Sequence, residues 1–399
     1  MKLIVKNKID FDRAIDPEYN AEKSIVLRYR NAVRFGATPE EDITFKNWLQ
    51  KTSIREGAQI FPLLTYRGVN IFILDETSLM HTRTLKSIDG CITIAKCKLH
   101  GYEKVKFESG GNTGTALTRY GVQAGLETFL FLPEENLSLL NSKVFESKKA
   151  HLIAVKKPGL VKQATHLFGK ENGIQHIPET VWRYEASRFR GFFILEHILE
   201  KGGFDWITQT ISAAFGPIGI YWVLRGLREE IHQIPPFLGI QQEANSPMYK
   251  AWKTNKVPTE LDQVNSTKGL LTKVMYDVKP QTYGTYEGLK DLLIHHGGDL
   301  TTINHAEFGD FLEKHFDGKN VLEQFRDHGI EISFSSGEVI EKTGLIALAG
   351  TLKAINQGII ARGSKVLCCL TSGISEADGK VKPEHTLSSL EELNQIKIG

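Results

Sequence analysis

Two segments of the 399-residue chain carry residue types that can do chemistry together. Thr82-Arg83-Thr84-Leu85-Lys86-Ser87 contains a lysine, whose uncharged amine is a nucleophile. Ser109-Gly110-Gly111-Asn112-Thr113-Gly114 follows, and its glycines allow backbone N–H groups to approach an anion closely. A helix predicted directly after this loop presents its positive end to the same place. An amine beside an anion-binding loop suits a Schiff base with a carbonyl cofactor.

The rest of the sequence predicts an alternation of strands and helices. From about residue 70 onward, short apolar runs alternate with segments of helical period. Strands are predicted at 71–74, 105–107, 128–132, 151–155, 206–214, 237–241 and 366–370, and helices at 87–100, 114–124, 186–201 and 344–358. Such alternation is typical of a parallel sheet with helices on its faces, so the predicted fold class is α/β.

Three loops that follow predicted strands contain glycine, serine, threonine or asparagine. They are residues 109–114, 215–219 and 371–373. Ligands of open α/β sheets bind beyond the carboxyl ends of the strands. The three loops are therefore expected to form one composite site.

Bulk composition restricts the classes of partner. The 49 Lys+Arg and 47 Asp+Glu residues give a formal net charge of +2, which argues against a dedicated nucleic-acid binder. No apolar run reaches the roughly 18–20 residues that cross a bilayer. Residues 1–6 resemble a strand more than a signal peptide. Four cysteines in apolar segments without metal-ligand spacing favour buried thiols. We therefore expect a cytoplasmic protein with no nucleic-acid, membrane or metal partner.

Five segments in order resemble the fold-type II pyridoxal-phosphate (PLP) enzymes, the tryptophan synthase β-subunit superfamily. Within it, the nearest resemblance is to threonine synthase and cysteate synthase, and it covers most of residues 60–373. Residues 82–86 are similar to the family's T-G-S-F-K, whose lysine holds PLP, and residues 109–114 to S-S-G-N-T-G. The other three segments are 214–222, similar to the glycine-rich phosphate loop, 341–350, similar to E-P-T-G-x-x-A-L-A-G, and 370–373, similar to L-T-G.

This resemblance implies PLP as the cofactor, held by Lys86 as a Schiff base between two domains of a homodimer subunit. It implies two open twisted, mostly parallel sheets flanked by helices. The large PLP-binding domain would comprise residues 1–90 and 200–399, and a smaller inserted α/β domain residues 91–199. The implied cofactor contacts are Lys86, Asn112 at the phenolic oxygen, Gly216, Ile218 and Gly219 at the phosphate, and Thr371 at the pyridine nitrogen, with Ser372 as the alternative to Thr371.

The same motifs imply a substrate site. Its predicted members are Ser109, Gly110, Gly111, Thr113, Arg83 and Thr84. The first four would bind the α-carboxylate of an amino acid. Arg83 stands where the family has glycine, and its guanidinium could bind a second anion, such as a substrate phosphate or an incoming sulfite.

The chain also departs from the family pattern. Ser87 and Ile88 replace the usual Asp and Arg after the lysine, and Lys342 replaces Pro. Pro217 lies in the phosphate loop and lacks an N–H donor. These departures bear on the reaction catalysed and, less strongly, on the affinity for PLP.

The predicted function is PLP-dependent elimination or replacement on a small amino acid with an anionic leaving group. Threonine synthase-like chemistry on an O-phospho amino acid is the leading expectation. A cysteate synthase-like or another β-replacement enzyme of a specialised pathway is the alternative. A non-catalytic ligand-binding homologue is a further alternative, which Pro217 and the missing Asp after the lysine favour and Lys86 and Asn112 oppose. A nucleotide-binding Rossmann protein is disfavoured because no G-x-G-x-x-G follows the first strand.

Overall fold

Two parallel-rich sheets organise the chain, as seen in a computed structural model. The structure describes residues 1–174, 177, 179–258, 268–276, 285–332, 334–335, 338–339 and 341–396. The strands are β1 (Lys2–Leu3), β2 (Val33–Arg34), β3 (Gln59–Tyr66), β4 (Val69–Asp75), β5 (Lys104–Glu108), β6 (Glu127–Pro133), β7 (Ala150–Val155), β8 (Trp206–Thr210), β9 (Phe237–Gln242), β10 (Asp299–Ile303), β11 (His315–Phe316), β12 (Lys319–Asn320), β13 (Phe334–Ser335), β14 (Glu338–Val339), β15 (Lys365–Leu370) and β16 (His385–Leu387).

Helices connect these strands and cover the sheets. They are α1 (Lys8–Ala14), α2 (Ile25–Arg28), α3 (Pro39–Thr52), α4 (Lys86–Leu99), α5 (Asn112–Gln123), α6 (Val161–Glu171), α7 (Glu179–Lys201), α8 (Phe215–Gly226), α9 (Pro247–Thr254), α10 (Tyr286–His296), α11 (His305–Glu313), α12 (Val321–Asp327) and α13 (Thr343–Asn356). Within the described ranges, no helix is both long enough and apolar enough to cross a membrane.

The larger sheet has six strands in the order β10-β9-β8-β15-β4-β3. Every neighbouring pair is parallel except β3 with β4, which forms an antiparallel edge. Each residue of β9 is buried, as expected for a parallel strand covered on both faces. Pro62 lies in the edge strand β3 at a shift of register, where a residue without an N–H is tolerated.

The smaller sheet has four parallel strands in the order β16-β7-β6-β5. Three of them lie between residues 104 and 155, but β16 comes from residues 385–387. The chain therefore leaves the larger sheet at the end of β15 and returns to complete the smaller one. This strand lies outside the range 91–199 assigned to the smaller domain from the sequence, and the domain limits stay a prediction.

Helices α7 and α8 pack closely because glycines lie at their interface. A Cβ added at Gly219 would lie 2.5 Å from the Cβ of Ser187 and 2.7 Å from the carbonyl oxygen of Tyr184. A Cβ at Gly191 would lie 2.9 Å from the carbonyl oxygen of Ile220. This packing brings one face of α7 to the loop that follows β8. The architecture confirms the α/β fold with two mostly parallel sheets flanked by helices.

Candidate active site

The loops after β5, β8 and β15 meet at one cavity of about 230 Å³. The segment before α4, one face of α7, residues 274–276 and the start of α13 complete its described wall. The cavity is lined by the sequence-predicted residues Thr84, Lys86, Ser109, Gly110, Gly111, Asn112, Thr113, Gly216, Thr371 and Ser372. The described lining does not include the predicted residues Arg83, Ile218 and Gly219. The carboxyl ends of the parallel strands thus gather most of the predicted residues.

Lys86 is the first residue of α4, and the backbone before it is tied to the loop after β15. Thr84 forms an isolated antiparallel bridge with Ser372, and the N–H of Leu85 donates to the carbonyl oxygen of Thr371 at 3.0 Å. The Nζ of Lys86 lies 2.7 Å from Oδ2 of Asp89, whose side chain is 4% exposed. Asp89 was not predicted. It lies three residues further along the helix, a spacing that places two side chains on one helical face.

The loop between β5 and α5 is shaped by Ser109. Its hydroxyl accepts hydrogen bonds from the N–H groups of Gly111 at 3.1 Å and Gly114 at 2.9 Å. Gly111 has φ 155° and ψ −90°, a conformation that side-chain-bearing residues rarely adopt. The first N–H groups of α5 have no acceptor within the helix and lie at the cavity. They are suited to an anion such as a carboxylate.

Asn112 lies at the start of α5 and faces another helix start. Its Nδ2 donates to Oε2 of Glu341 at 3.4 Å, and Oε1 of Glu341 accepts from the N–H of Thr343 at 2.8 Å. Glu341 is buried and precedes α13. This carboxylate therefore orients the amide of Asn112, a contact that the sequence motif alone did not indicate.

The turn between β8 and α8 forms a second concave backbone. Ala214 has φ 57°, in the left-handed region, and α8 begins at the next residue. Residues 212–216 line the cavity. Pro217 supplies no N–H, and the N–H of Ile218 donates to the carbonyl oxygen of Ala214 at 3.4 Å. Gly219 faces α7. The backbone donors available for a phosphate at this turn therefore belong to residues up to Gly216.

Helix α7 contributes two cavity residues that were not predicted, Arg183 and Ser187. They are four residues apart, so they share a helical face. The guanidinium of Arg183 lies 5.4 Å from the ring centroid of Phe215, the first residue of α8. A cation of this kind beside a helix start adds to the affinity of the cavity for an anion.

Arg83 has φ 58° at a position where the related motif has glycine. Its Nη1 donates to the carbonyl oxygen of Ser78 at 2.7 Å, and its Nε lies 3.6 Å from Oε1 of Glu376. Nη2 of Arg119 lies 2.7 Å from the other oxygen of Glu376. A smaller cavity of about 50 Å³ adjoins this group and shares Thr84 and Asn112 with the larger one. Arg83 thus lies beside the smaller cavity, with a carboxylate partner.

The donor set fits a phosphorylated aldehyde cofactor. Within the described part of the chain, the hydroxyl groups of Ser372 and Thr343 are buried without a hydrogen-bond partner, and both residues line the cavity. Buried polar groups are normally paired, so an unpaired hydroxyl at a cavity wall indicates a ligand group. Of the two candidates for the pyridine nitrogen, Ser372 is the residue with the unpaired hydroxyl. Lys86 would supply the amine, and the backbone turn at residues 212–216, which lines the same cavity, would bind the phosphate.

Known proteins resemble this chain in sequence and in fold. No family model matches the chain. The cysteate synthase of Methanosarcina barkeri is 23% identical over 346 residues, which are 83% of this chain and 77% of that protein. The threonine synthase of Escherichia coli superposes with a TM-score of 0.65 at 9% identity, covering 97% of this chain and 90% of that one. A pyridoxal 5'-phosphate-dependent aspartate racemase superposes with a TM-score of 0.60 at 14% identity, covering 86% of this chain and 97% of that one.

The chain therefore has the fold of the fold-type II PLP enzymes, and the resemblance inferred from its sequence motifs is confirmed. In sequence it is similar to cysteate synthase, and in fold to threonine synthase.

Proposed function

We propose that this chain is a PLP-dependent enzyme that catalyses elimination or replacement on a small amino acid with an anionic leaving group. A threonine synthase-like reaction on an O-phospho amino acid is the leading form. The observation that carries this proposal is the joint placement of the Lys86 amine, the backbone cradle after β8 and the unpaired Ser372 hydroxyl around one cavity. PLP is the expected cofactor because this cavity combines an amine for its aldehyde, backbone donors for its phosphate and a hydroxyl for its pyridine nitrogen.

Bound in this cavity, PLP would supply an aldehyde that condenses with amines and a ring that withdraws electrons from the substrate Cα. Lys86 would hold the aldehyde carbon, and the N–H groups at the start of α8 would bind the phosphate. Asn112 would donate to the phenolic oxygen. A hydroxyl from Ser372 or Thr371 would face the pyridine nitrogen without forcing its protonation, which suits elimination and replacement.

The substrate would bind at the other side of the cavity. The N–H groups of Asn112 and Thr113, in the first turn of α5 at the cavity, suit the α-carboxylate. We propose that Arg183 binds the leaving-group anion, because its guanidinium lies beside Phe215 and this residue lines the same cavity. Thr84 and Arg83 remain proposed substrate contacts on the side of the smaller cavity.

Proton transfer would be assigned to Lys86. When it is not attached to the cofactor, the Nζ of Lys86 would accept the Cα proton of the substrate at close range. Asp89, 2.7 Å from Nζ, then keeps this amine oriented and stabilises it when it is charged. The same amine can return the proton to the product.

A second candidate function is favoured by the sequence comparison. Similarity to cysteate synthase over 83% of the chain supports a β-replacement in which sulfite is the incoming nucleophile. The two functions differ in substrate chain length and in the nucleophile. For either, we propose a cytoplasmic homodimer with the cofactor between the two domains assigned from the sequence.

Cofactor trapping tests the proposal. Purified protein should be yellow or become so with PLP, and borohydride should attach the cofactor covalently to Lys86, as located by peptide mass spectrometry. Lys86→Ala should abolish the attachment. Lys250→Ala is the matched control, because this helical lysine is exposed. A protein that gains no absorbance with PLP, or that is trapped at another lysine, would refute the proposal.

A substrate screen separates the two functions. O-phosphohomoserine, O-phosphoserine, O-acetylserine, serine and threonine should be tested with and without sulfite, and release of phosphate and formation of products should be measured. Phosphate release from O-phosphohomoserine in the absence of sulfite supports the threonine synthase-like form. Sulfite-dependent product from O-phosphoserine supports the alternative. Arg183→Gln should raise the KM for a phosphorylated substrate roughly tenfold, because a charged hydrogen bond is lost.

A further inference from the structure

A buried arginine lies beneath the proposed phosphate turn. Arg190 is in α7, and its side chain is 0% exposed. Its Nε lies 2.5 Å from Oε1 of Glu76, and its Nη2 lies 2.6 Å from Oε2 of the same carboxylate and 2.7 Å from Oε1 of Gln209. The carboxylate thus occupies one edge of the guanidinium and fixes its orientation.

The other edge of this guanidinium faces the start of α8. Nη1 of Arg190 is buried and has no hydrogen-bond partner among the described residues. A Cβ added at Gly216 would lie 2.5 Å from this Nη1 and 2.9 Å from Nε2 of Gln209. Gly216 lines the cavity. Because Gly216 has no side chain, Nη1 of Arg190 can lie directly against the backbone of the turn.

The charge of Arg190 is secured by its partner. Burial by itself would lower the pKa of Arg190, but the Glu76 carboxylate outweighs that effect and the pKa is raised. The pair is neutral overall, yet it is an oriented dipole whose positive end points at Gly216. In a buried environment such a dipole acts on a nearby anion more strongly than it would in water.

We propose that Arg190 is a positioning residue that strengthens phosphate binding at this turn and offsets the donor missing at Pro217. It acts from beneath the backbone, outside the described lining of the cavity. An anion above Gly216 would interact with the Nη1 edge, which otherwise remains unpaired. This inference rests on the proposed function, since it takes the anion to be the phosphate group of PLP.

The experiment compares two aldehydes that differ in the phosphate alone. PLP and pyridoxal can both condense with Lys86, so the ratio of their dissociation constants isolates the contribution of the phosphate. The variant replaces both members of the pair, Glu76→Gln with Arg190→Gln, because removal of one would leave a buried charge unpaired. The ratio in favour of PLP is expected to fall roughly tenfold.

A matched control lies on the same helix. Arg28 pairs with Glu196 of α7, and both side chains are mostly buried. The double variant Arg28→Gln with Glu196→Gln also removes an ion pair from α7, away from the turn. Its preference for PLP over pyridoxal should remain as in the natural chain, even if both double variants unfold at lower temperature. A fall of the same size in this control would overturn the inference.

Arg190→Lys keeps the test decisive if the double variant does not fold. A lysine can pair with Glu76, but its single ammonium cannot present a second edge toward Gly216. The preference for PLP should fall about threefold, and the ³¹P resonance of bound PLP should shift. An unchanged preference in a folded variant would refute the role of Arg190. If the natural chain binds neither aldehyde, the proposed function itself fails.

Discussion

Substitution of Gly219 by alanine tests whether this residue packs two helices or frames a phosphate. The added Cβ would lie 2.5 Å from the Cβ of Ser187 and 2.7 Å from the carbonyl oxygen of Tyr184. Both atoms are fixed to the backbone of α7, so no side-chain rotation relieves the overlap. An ordinary contact begins near 3.4 Å, and α7 would therefore have to move by about 1 Å.

The magnitude follows from two opposing effects. Overpacking of a rigid interface costs about 1–3 kcal/mol, whereas replacing glycine by alanine in a helix contributes about 1 kcal/mol of stability. Gly309 provides the matched control, because it lies inside α11 and a Cβ there meets no described atom within 4 Å. Gly309→Ala should gain about 1 kcal/mol. The difference between the two variants isolates the overpacking, about 1–3 kcal/mol.

Urea unfolding at equilibrium, followed by circular dichroism, measures this difference when the slope of the free energy of unfolding is unchanged. The displacement should also move Arg183 and Ser187 away from the turn after β8 and weaken PLP binding. If Gly219→Ala is as stable as Gly309→Ala but has lost its affinity for PLP, the packing argument is refuted and a direct phosphate contact is favoured.

Three further outcomes are expected. Asp89→Asn removes the carboxylate 2.7 Å from the Lys86 amine, so the amine loses the partner that orients it, and borohydride-trapped attachment of PLP to Lys86 should slow by about threefold; an unchanged rate of attachment would contradict this. Arg83→Ala should raise the KM for an anionic substrate about threefold, since the guanidinium is 38% exposed, and an unchanged KM would remove the proposed anion role. Burial and two nearby lysines lower the pKa of His197 to about 4, so between pH 6.5 and 4 the unfolded chain binds more protons than the folded one, and stability falls as the pH is lowered. The urea midpoint of His197→Gln should therefore decline less over this range than that of the natural chain. Equal declines in the two proteins would exclude His197 as the cause.

Apolar periodicity predicted the central strands because a buried parallel strand must be apolar on both faces. The run at 366–370 corresponds to β15 and the run at 128–132 to β6. The strand predicted at 206–214 ends at Thr210 instead. Residues 211–214 are as apolar as a strand, but Ala214 adopts a left-handed conformation at the turn. Hydrophobicity alone does not distinguish an apolar segment in a strand from an apolar segment in a buried turn.

The sequence predicted the site residues that belong to short motifs, but not those that tertiary packing brings to the site. Lys86 and the loop 109–114 have distinctive residue types, and both line the cavity. Arg183 was missed because α7 begins at Glu179, earlier than the predicted start at 186. Asp89 was missed because it lies beyond the family motif, which ends at Lys86. The contact of Arg190 with the turn depends on the approach of α7 to α8, which no local pattern encodes.

The pairing of β16 with β7 has a consequence for how the protein is made. From residue 155, where β7 ends, to residue 385, where β16 begins, 230 residues must be synthesised. At about 5–20 residues per second this takes roughly 10–50 s. During that time one edge of β7 on the ribosome-bound chain lacks its final neighbour and is open to wrong pairing. A nascent chain of this protein should therefore depend on chaperones more than its finished form does.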